Sequence, residues 1–469
     1  MLFTSEIFIF LFLPVTLIIN LLLGERYRNI FLLSASLFFY AWGEPIFVLC
    51  MIISIIANYS FGILLEKNGN NKIILTFSVI FNLGLLVFFK YSNFIVNNTN
   101  DILSIIGVNK IVFYDVVLPI GISFFTFQAM SYVIDVYRKE APVQKNILDM
   151  GLYISFFPQL IAGPIVRYHD IAQQIKKRTI THEKMAYGIK RFIIGFTKKI
   201  VIANNMGFVA DHIFALDTSS LTPSLSWIGI ISYSLQIYYD FSGYSDMAIG
   251  LGMMFGFRFL ENFNYPYSSR SIREFWKRWH ISLSTWFRDY LYFPLGGNRC
   301  NKITMYRNLL LVFFMCGFWH GASWSFLVWG LFHGLFLVLE KTKFGVFLDN
   351  MWQPFRHMYT LSVVMVGWVF FRADNLIYSV DYIKSMFGIG HRTSNYYISM
   401  FLTYEKPFIL IIALIGMTPI IPKIMKLINH RTVNKVVPYA EVFAQMSMFL
   451  ISITYLINSS YNPFIYFRF

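Results

Sequence analysis

Long apolar runs, each closed by a short polar or basic stretch, recur along this chain from end to end. They fall at 3–23, 29–42, 46–65, 73–89, 116–134, 186–213, 225–252, 308–320, 323–340, 358–371, 408–422 and 441–457. A helix needs roughly 20 apolar residues to cross a hydrocarbon core of about 30 Å. The pattern therefore predicts an all-α polytopic membrane protein with about 11 or 12 transmembrane helices. No polar stretch is long enough to fold by itself, so a single membrane domain over 1–469 is expected. Its N-terminal helices occupy 1–134, its core 135–340 and its C-terminal helices 341–469. The start, MLFTSEIFIFLFLPVTLIINLLL, has neither a basic n-region nor a small-residue cleavage site, and reads as a retained helix.

Two segments break the alternation. Residues 151–166, GLYISFFPQLIAGPIV, are apolar but carry Pro158, Gly163 and Pro164 between two basic loops. Residues 281–297 end in Pro294 and Gly296-Gly297. Both fit re-entrant elements, because broken backbone at membrane depth is tolerated only where protein buries it or where it lines a cavity. Two such elements point to an internal cavity or tunnel. No internal repeat is evident.

Composition agrees: 57% of residues are hydrophobic and only 13% charged, against about 25% charged in soluble domains. The formal charge of +15 reads as cationic cytoplasmic loops facing anionic lipid, with no nucleic-acid partner. Basic loops near 25–28, 137–139, 176–178, 270–307 and 423–435 belong on the cytoplasmic side. Segments 90–115, 214–224 and 373–405, with the N-terminus, belong outside. Cys50, Cys300 and Cys316 stand far apart, and no disulfide or metal site is indicated.

An ionisable side chain at membrane depth is a functional hypothesis by default. His320, in GFWHGASW, is separated from Arg307 by twelve residues, about 18 Å of helix, which carries it past the bilayer midplane. Neutral imidazole is the usual general base near neutral pH; the bland alternative is a histidine bonded to a neighbouring helix. His280 follows Arg273, Lys277, Arg278 and Trp279 and precedes Arg288. That mixture suits either an interfacial belt or a basic mouth for an anionic donor. Asp240, Ser242, Tyr244 and Asp246 close a long apolar run; the carboxylates need partners, which Arg258 or the 270–278 cluster could supply. These residues and Trp319 read as structural or tunnel-lining. His333 reads as a core histidine. No nucleophile elbow, Walker loop or HExxH occurs, so direct transfer assisted by a histidine is expected over a serine triad.

The segments FFPQLIAGPIVR (156–167), DFSGYSDMAIGLGMMFGF (240–257), ENFNYPY (261–267), SIREFWKRWHISLSTWFRDYLYFPLGGNR (271–299), GFWHGASW (317–324), GWVFFRAD (367–374) and PFIYFRF (463–469) resemble the membrane-bound O-acyltransferase (MBOAT) family. The resemblance covers essentially the whole chain and is closest to the bacterial branch containing the alginate O-acetyltransferase membrane subunit. It implies the MBOAT fold, with tilted helices and re-entrant elements around a central tunnel. His320 matches the family's catalytic histidine, and His280 its second histidine or asparagine position.

The resemblance further implies acetyl-CoA as a cytoplasmic donor substrate with no resident cofactor. It also implies a polysaccharide acceptor, an SGNH-type acetyltransferase partner outside the membrane, and location in the bacterial cytoplasmic (inner) membrane. Two rivals remain open. One is D-alanyl transfer to teichoic acid from a carrier protein; the other is a proton-coupled transporter or flippase without acyl chemistry.

Overall fold

The apolar runs fold as helices, and no strand occurs among the described residues. This computed structural model describes residues 1–69, 71–390, 393–428, 437–459 and 461–465. Among them, four helices are long and apolar enough to cross a membrane: Phe47–Lys67, Lys72–Ile105, His182–Phe214 and Tyr439–Asn458. Shorter apolar helices cover Phe8–Leu22, Trp324–Leu339 and Lys406–Gly416. The chain is a polytopic helical membrane protein, and its helices cluster into two compact units, 1–189 with 248–260 and 190–247 with 261–469.

The first unit contains α1 (Leu13–Leu22), α2 (Glu25–Ala41), α3 (Phe47–Lys67), α4 (Lys72–Ile105), α5 (Ile122–Tyr137), α6 (Ile147–Ser155), α7 (Phe157–Leu160) and α8 (Tyr168–Lys176). Its membrane helices point polar groups inward and apolar groups outward, the reverse of a soluble core. On α4, Ser78, Asn82 and Tyr91 are buried while Phe77, Ile80 and Phe88 are exposed. Asn82 and Asn58 of α3 exchange two side-chain hydrogen bonds at 2.8 and 3.1 Å with both residues fully buried. Such pairs hold helices together where lipid gives them no hydrophobic reason to associate.

Helix α4 runs well past the apolar segment that marks it. Its 34 residues span about 51 Å at 1.5 Å each, longer than a hydrocarbon core. The stretch from residue 90, expected as loop, is helical as far as Ile105. Its asparagines fasten the following chain instead of ending the helix: Asn93 exchanges two hydrogen bonds with the backbone of Val116, and Asn100 two with Ile111.

The break at 151–166 is wholly buried in this unit, as broken backbone in a membrane must be. The Phe157 N–H donates to Ser36 Oγ, Gln159 donates to the Tyr153 carbonyl at 2.6 Å, and the Tyr153 hydroxyl reaches the carbonyls of Gln128 and Val166.

Helix α9 (His182–Thr197) passes through a π-helical stretch, Lys198–Ala203, into α10 (Asn204–Phe214). The second unit begins within α9. It holds α10, most of α11 (Pro223–Met254), α12 (Ile272–Trp276), α13 (Ile281–Phe287), α14 (Lys302–His320), α15 (Trp324–Leu339), α16 (Lys343–Asn350) and α17 (Gln353–Arg372). After these come α18 (Leu376–Met386), α19 (Ile398–Phe401), α20 (Lys406–Gly416), α21 (Ile420–Ile428) and α22 (Val437–Asn458).

Helices α14 and α15 form a hairpin whose backbones touch at two glycines. A Cβ on Gly317 would lie 2.3 Å from the Phe326 carbonyl oxygen, and one on Gly330 would lie 2.2 Å from that of Phe313. The break expected at 281–297 is the short α13, a π-helical turn at Arg288–Tyr292, and positive-φ turns at Gly296 and Gly297.

Candidate active site

His320 is the last residue of α14. Gly321 ends the helix in extended backbone, and the Ser323 side chain accepts the Phe326 N–H to start α15. The hairpin therefore places the histidine at a helix terminus, at its tightest turn. The imidazole is 5% exposed. Trp329 and Phe371 stand edge-on to it at 5.0 and 5.3 Å, and Trp319 at 5.0 Å. Ile237, Phe241, Trp279, Trp368 and Ile465 complete the lining of a cavity of about 10 Å³, room for about one water.

His280 does not line this cavity but packs against a residue that does. Phe241, which lines the His320 cavity, meets the His280 ring edge-on at 4.6 Å, and Trp319 lies 6.3 Å from it. The two sequence-predicted histidines thus share Phe241 and Trp319. His280 is buried and sits at φ 43, ψ 55, immediately before α13. Left-handed backbone is uncommon for a residue with a side chain and marks a position the surroundings enforce.

Two backbone bonds do the enforcing: the Ile281 N–H donates to the Asn262 carbonyl and the Asn264 N–H to the Arg278 carbonyl. The Asn262 side-chain oxygen receives the Ser282 hydroxyl at 2.9 Å and the Ser282 N–H at 3.2 Å, and lies 3.2 Å from His280 Nδ1. The Asn262 amide donates to Ser245 Oγ. His280 Nε2 is buried and makes no hydrogen bond among the described residues.

The two aspartates of α11 find their partners elsewhere than the sequence suggested. Asp240 pairs with Lys199 at 2.7 Å; Asp246 pairs with Arg191 at 2.6 Å and Lys198 at 2.7 Å. Neither draws on Arg258 or the 270–278 cluster. Close backbone packing is the reason: a Cβ on Gly195 would lie 2.4 Å from the Gly243 carbonyl oxygen. That approach lays Lys198 and Lys199, in the π-helical stretch, against the carboxylates of α11. π-Helical insertions occur often at functional sites.

Asp240 also accepts the Ile465 N–H at 2.8 Å, and Lys199 donates to the Pro463 carbonyl. The pair so anchors the segment whose Ile465 lines the His320 cavity. Of the motif 463–469, residues 466–469 lie outside the described residues. Tyr244 meets Phe464 at 4.8 Å with the rings tilted, and Ser242 is buried.

The basic cluster is largely neutralised. Arg273 reaches Asp349 at 4.0 Å, Arg278 and Arg270 share Glu274, and Arg288 rests on Asp289 at 2.7 Å. Burial would raise the Glu274 carboxyl, but the Arg270 backbone N–H and the Arg278 guanidinium hold it below its usual range. Lys277 is exposed with no carboxylate partner among the described residues. Trp279 faces inward, stacked on Phe275 at 5.6 Å and packed on Trp368 at 4.9 Å. His333 is fully buried among Trp276, Trp329 and Phe275, in an aromatic core position.

Lys198, Lys199, Arg191, Asn262 and Ser282 did not stand out in the sequence. Each becomes visible only through a partner distant in the chain. Asn262 lies inside the ENFNYPY segment, but nothing local distinguishes it from Asn264.

The model of the membrane-bound O-acyltransferase family matches residues 122–380. The chain is 46% identical over 397 residues to an Azotobacter vinelandii protein named "Probable alginate O-acetylase", covering 84% of this chain and 79% of that one. It is 38% identical over 428 residues to the "Peptidoglycan O-acetyltransferase" of Helicobacter pylori, covering 83% and 80%. Similarity to the "Teichoic acid D-alanyltransferase" of Bacillus subtilis is 29% over 264 residues, covering 54% and 66%.

Proposed function

This chain belongs to the membrane-bound O-acyltransferase family and is an O-acyltransferase, and from that premise we propose that it moves acetyl groups from cytoplasmic acetyl-CoA across the inner membrane for O-acetylation of a polysaccharide outside. The observation that carries this reading is the buried His320 in a small, aromatic-walled pocket at the α14–α15 turn. Proteins named for O-acetylation match over more of the chain, and at higher identity, than the D-alanyltransferase. That favours acetyl over D-alanyl transfer.

The chemistry needs a base and a dry site. The neutral His320 imidazole takes the proton of the acceptor hydroxyl as its oxygen attacks the thioester carbonyl carbon. The carbon–sulfur bond breaks, and the thiolate recovers the proton from the imidazolium. Low dielectric around the ring strengthens each of these polar contacts. His280 orients the donor arm or its carbonyl. The basic segment with Arg273, Lys277, Arg278 and Arg288 draws the donor's phosphates, Lys277 most directly because it lacks a carboxylate partner. An SGNH-type acetyltransferase outside the membrane receives the acetyl group and passes it to the glycan.

The test supplies the purified protein, in lipid nanodiscs, with acetyl-CoA or with a D-alanyl-charged carrier protein. Consumption of acetyl-CoA alone is the expected result. Consumption of the charged carrier alone would overturn the proposed donor.

A further inference from the structure

We propose that Asn262 is a positioning residue that locks His280 in its Nδ1–H tautomer, so that the buried Nε2 is left as a lone pair. The proposal rests on the acetyl-transfer reading and decides what His280 does within it.

The argument starts from a donor that cannot be reversed. A backbone N–H only donates, and that of Ser282 points at the Asn262 side chain at 3.2 Å. The Asn262 atom it meets must therefore be the oxygen, which settles the orientation of an amide whose two ends look alike. The same oxygen receives the Ser282 hydroxyl at 2.9 Å. His280 Nδ1 lies 3.2 Å from that oxygen and 3.5 Å from Ser282 Oγ. An amide oxygen only accepts. Ser282 Oγ has already given its proton to Asn262, so it too can offer only a lone pair. Nδ1 must carry the hydrogen.

A neutral imidazole holds one N–H, so Nε2 is then the unprotonated nitrogen. It is buried and has no protein partner among the described residues, although buried polar groups are nearly always satisfied. The missing partner is a hydrogen-bond donor from a bound molecule. A neutral ring in this tautomer cannot donate to a thioester carbonyl through Nε2. It accepts from an N–H instead, and the amide-bearing arm of the acyl donor supplies that group. Left-handed backbone at His280 and the Ile281–Asn262 backbone bond hold the ring where this pairing is possible, as outer partners of catalytic and metal-bound histidines do elsewhere.

The experiment reads the ring nitrogens directly. Full-length protein with 15N-labelled histidine is reconstituted in nanodiscs at neutral pH, and the His280 signals, one set among nine histidines, are assigned by their loss in His280→Gln. A protonated Nδ1 with an unprotonated Nε2 is expected. A proton on Nε2, or on both nitrogens, overturns the proposal.

Asn262→Ala should yield mixed tautomers and lower kcat roughly 10- to 100-fold, with KM for acetyl-CoA within about threefold. Ser282→Ala keeps its backbone donor and should keep the wild-type tautomer. An Asn262→Ala protein with unmixed Nδ1–H signals and wild-type kcat also overturns it. The nitrogen signals need no turnover. A wild-type protein with Nδ1–H but no acetyl transfer would refute the proposed function alone.

Discussion

Lys199 and Asp240 meet at 2.7 Å with side chains 3% and 2% exposed, an ion pair buried beside the site and tied to the backbone of Pro463 and Ile465. Removing one member of a buried pair leaves the other charge uncompensated, which costs about 3–5 kcal/mol. Asp240→Asn should therefore lower the apparent Tm sharply. The double variant Lys199→Met with Asp240→Leu should recover most of that stability, because replacing both charges removes the penalty. Its acetyl transfer should stay impaired, since Ile465 has lost its acceptor. Thermal unfolding in detergent checks the first half, and coenzyme A release the second. Equal instability of the single and double variants would contradict this account of the pair.

The α14–α15 hairpin depends on glycine at its crossing. A Cβ at Gly317 would sit 2.3 Å from a backbone oxygen, whereas one at Gly24 would meet nothing within 4 Å. Gly317→Val should destabilise by more than about 3 kcal/mol, the upper end of ordinary overpacking, and should abolish activity with it. Gly24→Ala should leave both unchanged. Monodisperse yield on size-exclusion chromatography distinguishes them.

Helix spans and the two broken segments were legible because hydropathy and proline or glycine positions are local properties. The length of α4 was not. Its second half carries Lys90, Asn93, Asn97, Asn98, Asn100 and Asp101, which erase the apolar signal, while Asn93 and Asn100 fasten the loop that follows. His320 and His280 were legible as costly polar groups in apolar surroundings. The partners of Asp240 and Asp246 were not, because the Gly195–Gly243 approach that delivers Lys198 and Lys199 is a tertiary fact. Asn262 was hidden for the same reason: an asparagine gains meaning only from the donors that converge on it.

Lys277 is exposed without a carboxylate partner among the described residues, while Arg288 rests on Asp289. If this segment receives the donor's phosphates, Lys277→Ala should raise KM for acetyl-CoA about three- to tenfold with kcat unchanged, the signature of lost uniform binding. Arg288→Gln should change KM less, and stability by no more than about 1 kcal/mol, as exposed pairs contribute little. Steady-state kinetics over a range of acetyl-CoA concentrations separates the two. A fall in kcat with KM unchanged in Lys277→Ala would place the donor elsewhere.

The central claim is that His320 is the base for acyl transfer. Its direct test is release of free coenzyme A from acetyl-CoA by nanodisc-embedded protein in the presence of an SGNH-type partner and glycan, wild type beside His320→Ala. General-base catalysis is worth about 10²–10⁴-fold. The variant should fold and elute as wild type does while its release falls by that factor. Near-normal release by a well-folded His320→Ala protein would contradict the account.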